Sequence, residues 1–134
     1  MADSNQLDDF YQYVLENGKL LTTDHVRRWS DGVLRTLGIT LDRGTKKKLA
    51  KALPEELASS LTRVFWLLHF RDPNLTREEF LRMAALRSGN TDADFAYHPT
   101  LAIFGGLKKI VGNDVQREVA DHLAPGISEL WEKA

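Results

Sequence analysis

Displaced by 70 residues, the chain falls on itself without a gap. Asp8-Asp9-Phe10 lands on Glu78-Glu79-Phe80, and the same shift carries Val33, Leu34 and Leu37 onto Ile103, Phe104 and Leu107. It also brings Leu49 to Val119, Leu53 to Leu123, Leu57 to Ile127 and Leu61 to Trp131. The matched positions are mostly apolar and recur every three or four residues, so a helical period stays in register through several successive segments. One amphipathic helix can resemble another by chance, but four in succession point to an internal duplication. Such a chain has few options: two copies of one helical unit, each too small to bury its apolar face alone, must share a core.

Each copy reads as four helices. The first runs from about Leu7 to Asn17, with Asp8 and Asp9 at its positive end and Gly18 beyond it. The second is capped by Thr23 or Asp24, carries Val26, Trp29, Val33, Leu34 and Leu37, and is expected to stop at Gly38. Asp42 starts the third, through Lys51. Pro54, Glu55 and Glu56 open the fourth, which is expected to continue through Phe70. In the second copy Thr76 and Glu79 form a capping box. Its helices are expected at Arg77 to Leu86, Pro99 to Ile110, Asp114 to Leu123 and Pro125 to Lys133. No run alternates apolar and polar residues, and no Asn-Gly or Asp-Gly hairpin joins such runs, so no strand is expected. The expected fold is all-α: a single bundle of about eight helices in two tandem halves, 7–72 and 73–134, behind a flexible tail at 1–6.

These elements resemble a bacterial family known as domain of unknown function 2267. The residues that carry the likeness are Asp8-Asp9-Phe10, Leu53-Pro54-Glu55-Glu56-Leu57, Glu78-Glu79-Phe80, and Leu123-Ala124-Pro125 leading to Leu130-Trp131. The likeness spans Leu7 to Lys133, with Pro125 one place late against the first copy. It implies a two-repeat helical fold and supplies no catalytic residue, cofactor or substrate.

Composition narrows the roles. At 134 residues, 43% hydrophobic and 28% charged, the chain has the make-up of one globular domain. Eighteen Lys and Arg against 19 Asp and Glu leave a net charge of -1, which offers a polyanion no bulk attraction, and no nucleic-acid partner is expected. The absence of Cys fits a reducing compartment and removes thiolate chemistry. With a polar, acidic start and no apolar run long enough to span a bilayer, a cytoplasmic protein is expected.

Chemistry-bearing constellations are sparse. Arg43, Lys46, Lys47, Lys48 and Lys51 cluster on the third helix, with Lys47 and Lys51 one turn apart. The plain reading is a solvated face, and the functional one is contact with an acidic protein partner. Val64 to Phe70 is apolar nearly all round, since Trp66, Leu67 and Phe70 add a second face to the stripe of Leu57, Leu61, Val64 and Leu68. It is expected to be either a spine between the halves or a docking face for a partner or a second copy of the chain. Gly105-Gly106 interrupts an apolar helix, where each Gly costs ~1 kcal/mol relative to Ala. Close approach of another helix explains the pair, and a ligand cleft with Tyr97 and His98 is the alternative. His98, beside Pro99, is expected on an irregular turn.

His25, His69, His98 and His122 form no metal-binding spacing, and no metal or cofactor is implied. The paired carboxylates all lie in first helical turns, where dipole and capping account for them, and no nucleophile elbow is present. The reading is therefore a non-enzymatic protein-interaction or regulatory module. Its candidate contacts are Lys47, Lys51, Trp66, Leu67 and Phe70. Two alternatives stand beside it: a small-molecule sensor or enzyme using the Tyr97, His98, Gly105 and Gly106 cleft, and a structural homodimer.

Overall fold

Side-chain caps set three of the helix starts. In a computed structural model, which describes residues 2–62, 74–90 and 92–134, the chain forms eight helices and, among the described residues, no strand. They are α1 (Ala2–Asn17), α2 (Thr23–Thr40), α3 (Arg43–Ala52), α4 (Glu55–Thr62), α5 (Arg77–Arg87), α6 (Tyr97–Ile110), α7 (Asn113–His122) and α8 (Pro125–Lys133). Asp42 Oδ2 accepts from the Thr45 amide at 3.1 Å to open α3. The Thr76–Glu79 capping box opens α5, with both reciprocal bonds made at 3.0 and 3.1 Å. The caps of α2 and the start of α1 differ from expectation. Thr22, not Thr23 or Asp24, caps α2 by accepting from the His25 amide. Helix α1 begins at Ala2, so residues expected in a tail extend its first turns.

Gly38 does not end α2, which continues to Thr40. A Cβ there would collide with the Leu61 carbonyl oxygen, so this glycine serves the crossing of α4 over α2 rather than a cap. His98 is likewise helical, in the first turn of α6, and not on an irregular turn. The described part of α4 ends at Thr62. The continuation to Phe70, with Trp66 and Leu67, lies outside the described residues.

Helix ends follow the 70-residue shift closely. Both ends of α3 fall on both ends of α7, the C-terminal ends of α1 and α2 fall on those of α5 and α6, and α4 and α8 start in register. Even the loop after the first helix of each set matches. Lys19 and Gly89, related by the shift, both take a positive φ, 58° and 82°.

The packing crosses from one half to the other. Helix α1 lies mainly on α6 and α2 on α5, while α3 meets α7. Exchanging the two halves turns the first pairing into the second and leaves the third unchanged. Within the halves, α2 packs on α4 and α6 on α8. One cluster of buried apolar side chains runs through all eight helices, from Phe10 and Val14 to Leu130 and Trp131. Phe80, Phe104 and Trp131 meet in succession at inclined angles, with ring centroids 5.8 and 5.3 Å apart. Burying each such ring contributes about 1.5–3 kcal/mol. Trp131 also donates through Nε1 to the Gln116 carbonyl at 3.2 Å, which ties α8 to α7.

Candidate functional site

The glycine pair faces α1. A Cβ on Gly105 would stand 2.8 Å from Tyr13 Oη, and one on Gly106 would stand 2.7 Å from Phe10 Cδ2. Helix α1 fills the space that the alternative reading assigned to a ligand, so the expected cleft is closed at its glycine wall. Tyr97 is half-buried under the Arg77 guanidinium, 5.2 Å from the ring centroid, and His98 is exposed with its ring edge-on to Tyr97. On α3, Lys47 and Lys51 are exposed as expected, but the cluster is not uniform. Lys46 is only 6% exposed, and burial pulls its pKa down. Lys48 pairs with Glu118 of α7 at 2.9 Å, so part of the basic face is neutralised within the chain.

A concavity of the first half lies where α1, α2 and α4 converge. Arg27, Ser30 and Asp31 sit at i, i+3 and i+4 on α2, which places them on one face. Glu56 and Ser60 are one turn apart on α4, and Leu7 and Tyr11 one turn apart on α1. Together with Pro54, Glu55, Leu57 and Ser59 these side chains line an open groove of about 670 Å³. That volume lies in the range of sites that enclose a small molecule or a few residues of a peptide, about 300–1,000 Å³.

Hydrogen bonds hold the walls. Tyr11 Oη donates to Glu56 Oε1 at 2.6 Å, and Ser60 Oγ donates to Asp31 Oδ1 at 2.7 Å. Arg35 Nε stands 3.0 Å from Asp31 Oδ2, a charge contact rather than an aligned hydrogen bond. Burial, reinforced by the bond to Glu56, pushes the Tyr11 phenol well above its usual range, so it remains a neutral donor. The Arg27 guanidinium lies over the Tyr11 ring, 5.5 Å from its centroid. Ser30 is 1% exposed, and its Oγ has no hydrogen-bond partner among the described residues. Asp31 is paired with Arg35, and Glu55 and Glu56 outnumber Arg27, which leaves the groove weakly acidic and suits it to hold a cation or a row of hydrogen-bond donors.

The equivalent place in the second half is built differently. The shift puts Leu81 for Tyr11, Leu101 for Asp31, Gly126 for Glu56 and Leu130 for Ser60. Gly126 lets α8 close on α5, since a Cβ there would stand 3.1 Å from Arg77 Cβ and 3.3 Å from its backbone nitrogen. Leu130 is fully buried. A model of an uncharacterized conserved protein family, DUF2267, matches residues 7–130, a span that includes the groove and its counterpart. The chain belongs to the DUF2267 family. No curated protein matches it. In this DUF2267 chain, among the described residues, no helix is long and apolar enough to cross a membrane, and no group of three or more His, Asp or Glu is placed to hold a metal ion.

Sequence reasoning passed over the groove residues. The signal was nonetheless present, because Tyr11, Asp31 and Ser60 are polar where the shifted copy has leucine. Carboxylates in first helical turns were assigned to capping, and for Glu56 that assignment omitted the Tyr11 hydroxyl on a neighbouring helix.

Proposed function

We propose that the protein is a non-enzymatic interaction module that holds a basic segment of a partner protein in the groove between α1, α2 and α4. One observation carries the reading: of two places related by the 70-residue shift, one is packed with leucine and glycine, and the other keeps a hydrogen-bonded acidic wall open to solvent. A lysine or arginine of the partner would meet Glu55 and Glu56. The groove's tyrosine is held protonated, and the Ser60 hydroxyl bonds to a carboxylate already paired with Arg35, with no histidine or lysine in the groove lining, which favours binding over turnover. Lys47 and Lys51 remain exposed on α3 as a peripheral contact for acidic residues of the same partner.

The test is affinity capture from the native host, followed by titration of the captured protein after purification. Expected is one partner that binds the unchanged chain, loses at least ~10-fold in affinity against Glu55→Lys/Glu56→Lys, and tolerates Leu21→Ala. A partner that binds the double variant equally well would overturn the reading. Turnover of a small molecule abolished by the same variant would replace it with an enzymatic one. A solution mass of twice 15.2 kDa, lost in that variant, would make the partner a second copy of this chain.

A further inference from the structure

A second concavity lies away from the groove, where the loop between α1 and α2 meets the loop between α5 and α6. Lys19, Leu20, Leu21, His25, Arg28 and Trp29 line one side of this notch of about 270 Å³, and Ser88, Gly89, Asn90 and Phe95 line the other. We infer that this notch is a docking site for an acidic protein segment that presents an apolar side chain between carboxylates.

Three observations support that occupant. Every lining side chain that carries charge or can acquire it is basic: Lys19, Arg28 and His25. The two acids of the adjoining loop, Asp92 and Asp94, are not among the lining residues, and Asp92 Oδ1 accepts from the backbone amides of Asp94 and Phe95. Next, among the described residues three large hydrophobic side chains are exposed, and two of them, Leu21 at 87% and Phe95 at 37%, flank this notch. Phe95 leans on Trp29 with centroids 5.6 Å apart, so an entering apolar side chain meets an aromatic wall already in place. Lastly, Lys19 holds φ at 58°, where the shift-related position carries glycine. Glycine adopts that conformation without the steric cost a lysine bears. The lysine at this position supplies a side chain that the turn itself does not need, and it stands at the rim of a basic notch.

The probe is the acetylated, amidated peptide Glu-Glu-Leu-Phe-Glu-Glu, titrated into the full chain and followed by amide chemical shifts. Expected are saturable shifts grouped at residues 19–29 and 88–95, with none from the analogue carrying lysine for glutamate. Arg28→Glu should weaken binding at least ~5-fold. Lys19→Gly should weaken it too while leaving the thermal midpoint unchanged or higher, because glycine relieves the turn. Absent shifts, equal binding of the lysine analogue, or full affinity in both variants would each overturn the inference. Shifts confined to Tyr11, Arg27 and Glu56 would also overturn it, and would leave the groove as the site that takes peptides.

Discussion

The two halves present the same helices at one location and finish it in opposite ways. Around Tyr11 and Glu56 the first half joins α1 to α4 through a phenol–carboxylate bond and leaves a groove beside it. Around Leu81 and Gly126 the second half brings α5 and α8 almost into backbone contact. Even the stacked cation changes sides. Arg27 of α2 covers Tyr11 of α1 in the first half, whereas Arg77 of α5 covers Tyr97 of α6 in the second. The difference teaches that packing alone satisfies the scaffold at this position. A hydrogen-bonded acidic wall there is an addition that the fold does not require.

Exchanging residues between the two places tests this, and the largest effect is expected in the second half. Leu130→Ser inserts the first half's residue into a fully buried apolar site. Loss of the side chain and its cavity should cost about 3–5 kcal/mol, read as a lower urea midpoint at unchanged slope. Tyr11→Phe removes the bond to Glu56 and should cost about 1–2 kcal/mol, since the acceptor is charged and the donor lies at the edge of the core. A cost near zero would show that the groove wall is not held by that bond.

Gly126→Ala comes next, at about 1 kcal/mol or less. The crowding against Arg77 is tight but not prohibitive, and alanine's better helix propensity offsets part of it. A larger loss would mean that backbone proximity, more than leucine packing, closes the second half.

The smallest effect concerns the seam where α3 meets α7. The hydrogen bond from Lys48 holds Glu118 below the usual carboxylate range. A depressed folded-state pKa contributes stability that is present above the unfolded-state pKa and fades as pH falls through the folded-state value. Glu118→Gln should therefore lower stability slightly near neutrality and leave it unchanged at low pH, which flattens the acid side of the profile. Acid titration of the thermal midpoint in both proteins would measure it.

How much could be read in advance varies from residue to residue. The Thr76–Glu79 capping box and the Asp42 cap were legible because their donors and acceptors lie within one turn of each other. The glycine pair was legible as a helix crossing, since two glycines in an apolar helix need some offsetting contact, and Phe10 and Tyr13 provide it. Gly38 misled because a glycine near a helix end has two uses, and only the position of Leu61 on another helix distinguishes them. Lys46 misled for a related reason: the other basic residues of its cluster are solvated, while its own direction on α3 points it inward. The groove depends on Tyr11, Asp31, Glu56 and Ser60 from three helices, and no periodicity within one helix brings them together. Against the shifted copy three of the four, Tyr11, Asp31 and Ser60, stand where the other half has leucine.

The crossed pairing of α1 with α6 and α2 with α5 bears on how the chain is made. Helical proteins usually fold fast because their contacts are local. Here the opening helices emerge from the ribosome with apolar faces whose mates have yet to be translated. During synthesis the first half is therefore an unfinished object that a chaperone, or a neighbouring nascent copy donating its own fifth and sixth helices, could complete. Exchange of halves between two chains is the misassembly this architecture invites.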